Sequence, residues 1–375
     1  MPQSLYIILW LVAILWINVY LIQWFRVIAF FNSQEIPRVR IPEETLEIIC
    51  VFRNEETQLI PFLNQVAEIL QNISAKVTLV NDHSEDQSLE IVRNHPLFGH
   101  PNLELRNPPP TIKGKKACIN WAVNQSNRTL IFTTDADCLI FPFAIEKMFS
   151  LMESTKSQLV LGLVRFEEKD TTLGTYQSIE NSALIALSTY HANMKTPTMG
   201  NAANMLFSRS HFIASNPYEQ NEHIPGGDDI FLIQAFQNQK LKISYANDIN
   251  TAVTTGVCPD WTSLWHQRIR WAQKSRFQKT GNTQKSQIVF VLFVCYLWGI
   301  SIGSVLHQAY AIVLMCWTLK IGGEAIFIRK LFFKMDQKAP SLFQIIKSSL
   351  IQSLFVPLVA LFQFFAPVYW KGRKL

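Results

Sequence analysis

Asp135 and Asp137 flank a single alanine directly after the apolar run Thr129–Thr134. Two hard carboxylates at this spacing can reach a divalent cation such as Mg2+ or Mn2+ that also binds phosphate oxygens. A D-x-D is a weak signal alone, since a chain of this length carries roughly one by chance. Its position at the end of a strand-like run raises its weight. Asp228 and Asp229 follow Gly226-Gly227 and lead into the helical run Ile230–Gln237. Such a pair is either a cap and first-turn acid complementing the helix dipole or a general base held at a helix start. Taken alone, the pair favours the cap. Asp82 ends another apolar run and is equally a turn former or the cap of a helix beginning near Asp86. Gly200-Asn201 is a tight turn or a place where backbone comes close to a sugar. Gln267, Arg270 and Trp271 share one face of the helical stretch Thr262–Lys279. Arg can hold a diphosphate and Trp can stack on a sugar, while a basic amphipathic helix lying on a membrane is the plain alternative. Lys113, Lys115 and Lys116 by themselves read as a solvated basic face.

The segments between these residues alternate in character. Leu46–Phe52, Lys76–Val80, 102–106 and Thr129–Thr134 are strand-length runs, whereas Thr57–Asn72, 86–94 and Lys115–Asn124 follow helical spacing. Strands alternating with helices predict an α/β domain with a mostly parallel sheet covered on both faces. In such sheets ligands bind beyond the carboxyl ends of strands, where Asp82, Asp135 and Asp137 fall.

The chain has 375 residues, 49% of them hydrophobic and 17% charged, with mean hydropathy +0.12. That excludes a disordered or collagen-like chain. The apolar surplus lies at the two ends. Residues 1–25 carry no charged side chain, which predicts an uncleaved transmembrane anchor over 1–28. Arg26, Arg38 and Arg40 follow it, so the polar middle, 45–285, is expected on the cytoplasmic side of a multi-pass cell-membrane protein. Ser286–Leu319 is free of Asp, Glu, Lys and Arg over 34 residues, enough for two spans near 287–306 and 309–328 with a break at Gly303, His307 and Gln308. Lys320 and Glu324 in the second span can pair, and are read as charges snorkelling at the cytoplasmic interface rather than as an intramembrane site. Ser348–Trp370, interrupted by Pro357 and Pro367, is a third crossing or a re-entrant segment, so that 286–375 forms a membrane region. The net charge of +6 with no basic run interleaved with aromatics excludes nucleic acid as a partner and leaves membrane lipids. Six cysteines without a C-x-x-C pair are read as scattered reduced thiols.

The motifs gain meaning from their order. Phe52-Arg-Asn-Glu-Glu, Val80-Asn-Asp-His-Ser-Glu-Asp, Lys113-Gly-Lys-Lys-Ala-Cys-Ile-Asn, Asp135-Ala-Asp, Gly200-Asn, Gly227-Asp-Asp and Gln267-Arg-Ile-Arg-Trp together closely resemble the family 2 glycosyltransferases. The resemblance covers about residues 45–280 and is to the membrane-anchored branch. It implies a GT-A fold and an inverting, metal-dependent, hexosyltransferase-type enzyme. It also implies roles. Glu55 and Asp82 would contact the nucleoside of a nucleotide sugar, with UDP favoured; Lys115, Asn120 and Asp135 would line the donor; Asp137, aided by Asp135, would bind Mg2+ or Mn2+. Asp229 would be the base, and Gln267 and Arg270 would hold the diphosphate. Gly200, Asn201, Asp228 and Trp271 would meet the acceptor. Two departures stand out: Asp228 where the family often has Glu, and Cys118 in place of a common Ala. A lipid or lipid-linked acceptor is the expectation, because the Gln/Arg/Trp helix leads into a membrane span. A processive polysaccharide synthase and a non-catalytic donor-binding protein are the alternatives; intact acidic motifs argue against the second.

Overall fold

The computed structural model describes residues 3–31, 35–222, 224, 226–275, 277, 281–367, 369–370 and 373–374. It divides into two units: Met1–Asn32 with Glu168–Tyr190 and Cys258–Val368, and Ser33–Glu167 with His191–Val257 and Tyr369–Leu375. Chain order runs α1 (Gln3–Phe30), β1 (Leu46–Phe52), α2 (Leu59–Asn72), β2 (Ala75–Asn81), α3 (Ser88–Asn94), β3 (Leu103–Arg106), α4 (Lys115–Gln125) and β4 (Leu130–Thr134). It continues through β5 (Cys138–Leu139), α5 (Pro142–Thr155), β6 (Leu159–Leu161), β7 (Val164–Phe166), α6 (Thr172–Asn193), β8 (Met205–Ser208), α7 (Arg209–Ser215), α8 (Asp228–Asn238), β9 (Ile243–Tyr245) and β10 (Val253–Thr255). Four helices follow: α9 (Trp261–Ser275), α10 (Gly281–Leu306), α11 (Tyr310–Lys334) and α12 (Leu342–Phe362).

The α/β unit is built on a seven-stranded sheet of order β3-β2-β1-β4-β8-β6-β9. The pairs β1–β2, β2–β3, β1–β4 and β6–β9 are parallel. Only β8 runs against its neighbours β4 and β6. Every residue of β1 is buried, because a central strand covered on both faces has no polar side. Ile48, Cys50 and Phe52 point into a core shared with α2 and α5, while Ile49 and Val51 point into one shared with α4 and α8. The expected mostly parallel sheet is thus present, with one antiparallel insertion. A small sheet of β5, β10 and β7 adjoins the D-x-D turn. The parallel register brings the carboxyl ends of β1, β2 and β4 to the same edge, where Glu55, Asp82 and Asp135 begin.

Among the described residues four helices are long and apolar enough to cross a membrane: Ile7–Phe30, Ile288–Leu306, Tyr310–Lys334 and Leu342–Phe362. The break expected between the second and third falls at His307–Ala309. The last helix differs from the charge-free stretch read in the sequence. It begins at Leu342 and includes Lys347, because Ser341 and Gln344 form a capping box that fixes its start, and it continues through Pro357 rather than stopping there. The expected helix 262–279 is described to Ser275; Arg276, residues 278–280 and Lys371 lie outside the described residues.

Helix α1 packs closely on α11: a Cβ on Gly323 would lie 2.5 Å from Leu21, and Trp24 meets Phe327 at 4.7 Å between ring centroids. Here the snorkelling expected for Lys320 and Glu324 is corrected. Lys320 is 0% and Glu324 5% exposed. Lys320 Nζ donates to Glu324 (2.7 Å) and to Ser349 Oγ of α12 (3.0 Å), Ser349 donates to Glu324, and Tyr20 of α1 donates to the same carboxylate at 2.7 Å. Two partners from other helices satisfy the pair where it sits, so neither side chain reaches for water. Removing one member leaves a bare buried charge, which typically costs about 3–5 kcal/mol. Lys320→Met should therefore lower the unfolding midpoint in detergent sharply, and the double variant Lys320→Met/Glu324→Leu should recover most of the loss. Equal midpoints for wild type and Lys320→Met would show that the pair carries no such weight.

Candidate active site

The edge of the sheet is assembled by loop hydrogen bonds before any acid is placed. Asp82 N–H donates to Phe52 O at 2.9 Å, extending the β1–β2 ladder by one residue. Buried Arg53 donates to the carbonyls of Asp82 (3.1 Å) and His83, and pairs with Glu85 at 2.8 Å. Glu55 N–H donates to Ser88 Oγ at 2.8 Å, so half-buried Glu55 starts where β1 ends. Asp82 is fully buried, and both its oxygens accept Gly114 N–H at 3.0 and 3.1 Å. Gly114 has φ 92°, a conformation that other residues rarely adopt. It turns the chain into α4 and sets Lys115 and Lys116 on the first turn.

Those lysines are not the solvated face expected of them. Lys116 is 6% exposed. Lys115 Nζ donates to Asp135 Oδ1 and lies 3.2 Å from Asp228 Oδ2. Burial alone would push the Lys115 ammonium down, but the Asp135 and Asp228 carboxylates outweigh it and hold the group well above its ordinary value. One cation thus joins the D-x-D acid to the acid pair of α8. The amide oxygen of Asn120 instead accepts from Asn124, one turn along α4, at 3.3 Å.

Donor atoms of Asp135, Asp137 and Cys138 lie within 4.8 Å of one another, with Asp137 exposed and Cys138 buried. Burial first, then the carboxylates of Asp137 and Asp135, push the Cys138 thiol well up. A thiol that keeps its proton is a poor ligand, so the group offers hard carboxylate oxygens. That donor set fits Mg2+ or Mn2+.

Asp228 and Asp229 open α8 after Gly226 (φ 68°) and Gly227 (φ 80°). They are 9% and 5% exposed. Asp229 Oδ1 accepts Ile230 N–H at 2.8 Å, and Tyr218 OH donates to Asp228 O at 2.8 Å. A Cβ on Gly227 would lie 2.6 Å from the Phe231 ring. Gly200 and Asn201 have local tasks. A Cβ on Gly200 would crowd Ile233 and Leu161 at 3.0 and 3.1 Å, and Asn201 Oδ1 caps the turn 202–204 by accepting Ala203 N–H.

Gln267, Arg270 and Trp271 lie on α9, in the unit with the four long apolar helices. Their setting depends on a residue that sequence reasoning passed over. Arg268, 6% exposed, donates through Nε and Nη2 to Glu180 of α6 at 2.9 and 2.6 Å, bonds Gln267, and stacks 4.1 Å from the Trp271 ring. Three residues before Glu180, Gln177 clasps the backbone of Cys258 through both ends of its amide, at 3.1 and 2.9 Å. Helical spacing of Gln177 and Glu180 was the available signal, but nothing in it points to a partner some eighty residues on.

A profile described as Glycosyl transferase family 2 matches residues 47–214. A dolichyl-phosphate beta-glucosyltransferase of Trichomonas vaginalis is 30% identical over 39% of this chain and 49% of its own length. A poly-beta-1,6-N-acetyl-D-glucosamine synthase of Staphylococcus epidermidis is 24% identical over 67% of this chain and 60% of its own. The chain thus spans about half the length of the first of these curated relatives. In fold, it superposes on the mannosyltransferase PcManGT from Pyrobaculum calidifontis, solved with GDP-Man and Mn2+, with TM-score 0.55 at 12% identity, covering 97% of this chain and 99% of that one. The chain thus has a GT-A-like α/β fold with a mostly parallel sheet, and its residues 47–214 match the family 2 glycosyltransferases.

Proposed function

We propose that this protein is an inverting hexosyltransferase that moves a sugar from a nucleotide donor, UDP-linked, to a hydroxyl of a lipid or lipid-linked acceptor at the cytoplasmic membrane face. The observation that carries the reading is Lys115, one half-buried ammonium held between Asp135 and Asp228. It ties the acids suited to a metal–diphosphate to the turn that bears a candidate base.

In this reading 45–285 is the catalytic domain between an anchor at 1–28 and a membrane region at 286–375. Glu55 and Asp82 contact the nucleoside, and Lys115, Asn120 and Asp135 line the donor. Asp137 and Asp135 would hold Mg2+ or Mn2+, which when bound supplies charge neutralisation for the departing nucleoside diphosphate. Asp229 removes the acceptor proton, so that the hydroxyl attacks opposite the leaving group and inverts the anomeric centre. Asp228, Gly200, Asn201 and Trp271 orient the acceptor, and Gln267 and Arg270 carry the diphosphate on the strength of their motif. Four apolar helices in the same chain support a lipid acceptor, as does the dolichyl-phosphate relative.

The similarity to a poly-N-acetylglucosamine synthase over two thirds of the chain favours a second reading, processive synthesis. Purified protein offered a panel of UDP- and GDP-sugars with Mg2+ or Mn2+, plus polyprenyl-phosphate and glycan acceptors, tests both. One added sugar supports single transfer and a product ladder supports polymerisation. No nucleotide release with any pair would sink the enzyme reading. For topology, single cysteines at exposed positions such as Gln71 or Asn238 should resist an impermeant thiol reagent in intact cells and react after lysis. Labelling from outside would reverse the orientation.

A further inference from the structure

Lys116 is one residue from Lys115 but faces elsewhere. Its Nζ donates to the backbone carbonyls of Asn221 and of Ile224 (2.9 Å), and sits 4.8 Å from the centroid of the Phe231 ring. Asn221 and Ile224 lie just before Gly226-Gly227, and Phe231 is the residue packed beneath Gly227. Burial pushes the Lys116 ammonium down to about 8, with Asp228 and Glu222 pulling the other way. An ammonium held out of water at that cost needs compensation, and two carbonyls and a ring face provide it. Its neighbours on α4, Cys118, Ile119, Ala122 and Val123, are apolar core.

The backbone enters Asp228 through two glycines. Gly226 and Gly227 both take positive φ, and among the described residues beyond its chain neighbours no atom lies within 4 Å of where a Cβ on Gly226 would stand. Tyr218 OH fixes Asp228 O from one side; Lys116 fixes Asn221 and Ile224 from another. Lys116 stands on the same first turn of α4 as Lys115, and directly after Gly114, whose N–H is bound by Asp82.

We propose that Lys116 is a positioning residue, which holds the backbone of Asn221 and Ile224 on the N-terminus of α4 and so sets where the Asp229 carboxylate stands. This rests on Asp229 being the base. Lys116 touches no reacting atom; it acts through the backbone that delivers one. A base displaced by about 1 Å loses on the order of a hundredfold in rate.

Two measurements separate this role from the functional reading. Hydrogen exchange needs no turnover. The amides of Ile230 and Phe231 should be protected in wild type, lose that protection about tenfold or more in Lys116→Met, and regain it in Lys116→Arg, whose fork can also reach two carbonyls. Kinetics then ask whether the turn matters to transfer. Lys116→Met should lose on the order of a hundredfold in kcat with nucleotide affinity kept, and Lys116→Arg should recover most of it. Unchanged exchange in Lys116→Met, or unchanged kcat and acceptor KM, overturns the proposal. If Lys116→Met does not fold, wild type still decides: rapid exchange at Ile230 and Phe231 would mean the turn is not seated. A changed exchange pattern in a protein that transfers no sugar at all would uphold the clamp and sink the enzyme reading instead.

Discussion

Asp229→Asn is expected to lower turnover per folded molecule by about a hundred- to ten-thousand-fold, the usual cost of losing a general base. The substitution keeps size and an oxygen able to accept Ile230 N–H, the 2.8 Å bond that Asp229 Oδ1 makes at the start of α8. What it removes is the capacity to take a proton. Nucleotide affinity should survive, because in the proposed scheme the donor is held by Asp82, Asp135, Asp137 and Arg270. Asp228→Asn should be milder and act on the acceptor, although weakening the contact to Lys115 will blur that difference. If the two acids merely complement the helix dipole, Asp229→Asn costs only about 0.3–1 kcal/mol of stability, and activity falls only as folded protein falls. The quantity to measure is therefore kcat normalised to folded protein, alongside nucleotide binding by calorimetry. Normal turnover of the folded variant would make Asp229 a first-turn acid and place the base elsewhere.

Asp137→Ala should abolish metal-dependent transfer, with a loss on the order of a thousandfold, matching several kcal/mol of charge stabilisation by a bound cation. This variant is clean because Asp137 is exposed and accepts only a long contact from the neighbouring Cys138 thiol, at 3.5 Å, among the described residues. An exposed substitution of this kind changes stability by about 0.5 kcal/mol or less, so lost activity cannot be blamed on unfolding. Asp135 is the poorer test, since its removal also strips Lys115 of a partner. Chelation of wild type should give the same loss, reversed by added Mn2+. The Mn2+ paramagnetic signal should report binding to wild type and not to Asp137→Ala. Transfer that survives both chelator and Asp137→Ala would remove the metal from this site.

Much of the scaffold was legible from residue types in order. Leu46–Phe52 and Thr129–Thr134 could be placed because central strands are apolar on both sides, and the helices at 59–72 and 115–125 because their stripes repeat at helical spacing. The family resemblance, the Asp135-Ala-Asp137 motif and the apolar stretches at both ends of the chain likewise rest on local composition and on motifs read in sequence. The partners of those residues were not legible. Lys115 and Asp228 are more than a hundred residues apart and meet because β8 inserts antiparallel between β4 and β6 and brings α8 beside α4. Lys116 looked like one more surface lysine until two backbone carbonyls, which have no signature in residue type, proved to hold it. Arg268 acquired its role only from Glu180 on α6, and Lys320 from Tyr20 and Ser349 on two other helices. Periodicity records which side of an element turns away from water. Which element lies on that side is a long-range choice, and it settles whether a charged residue there is solvated or paired.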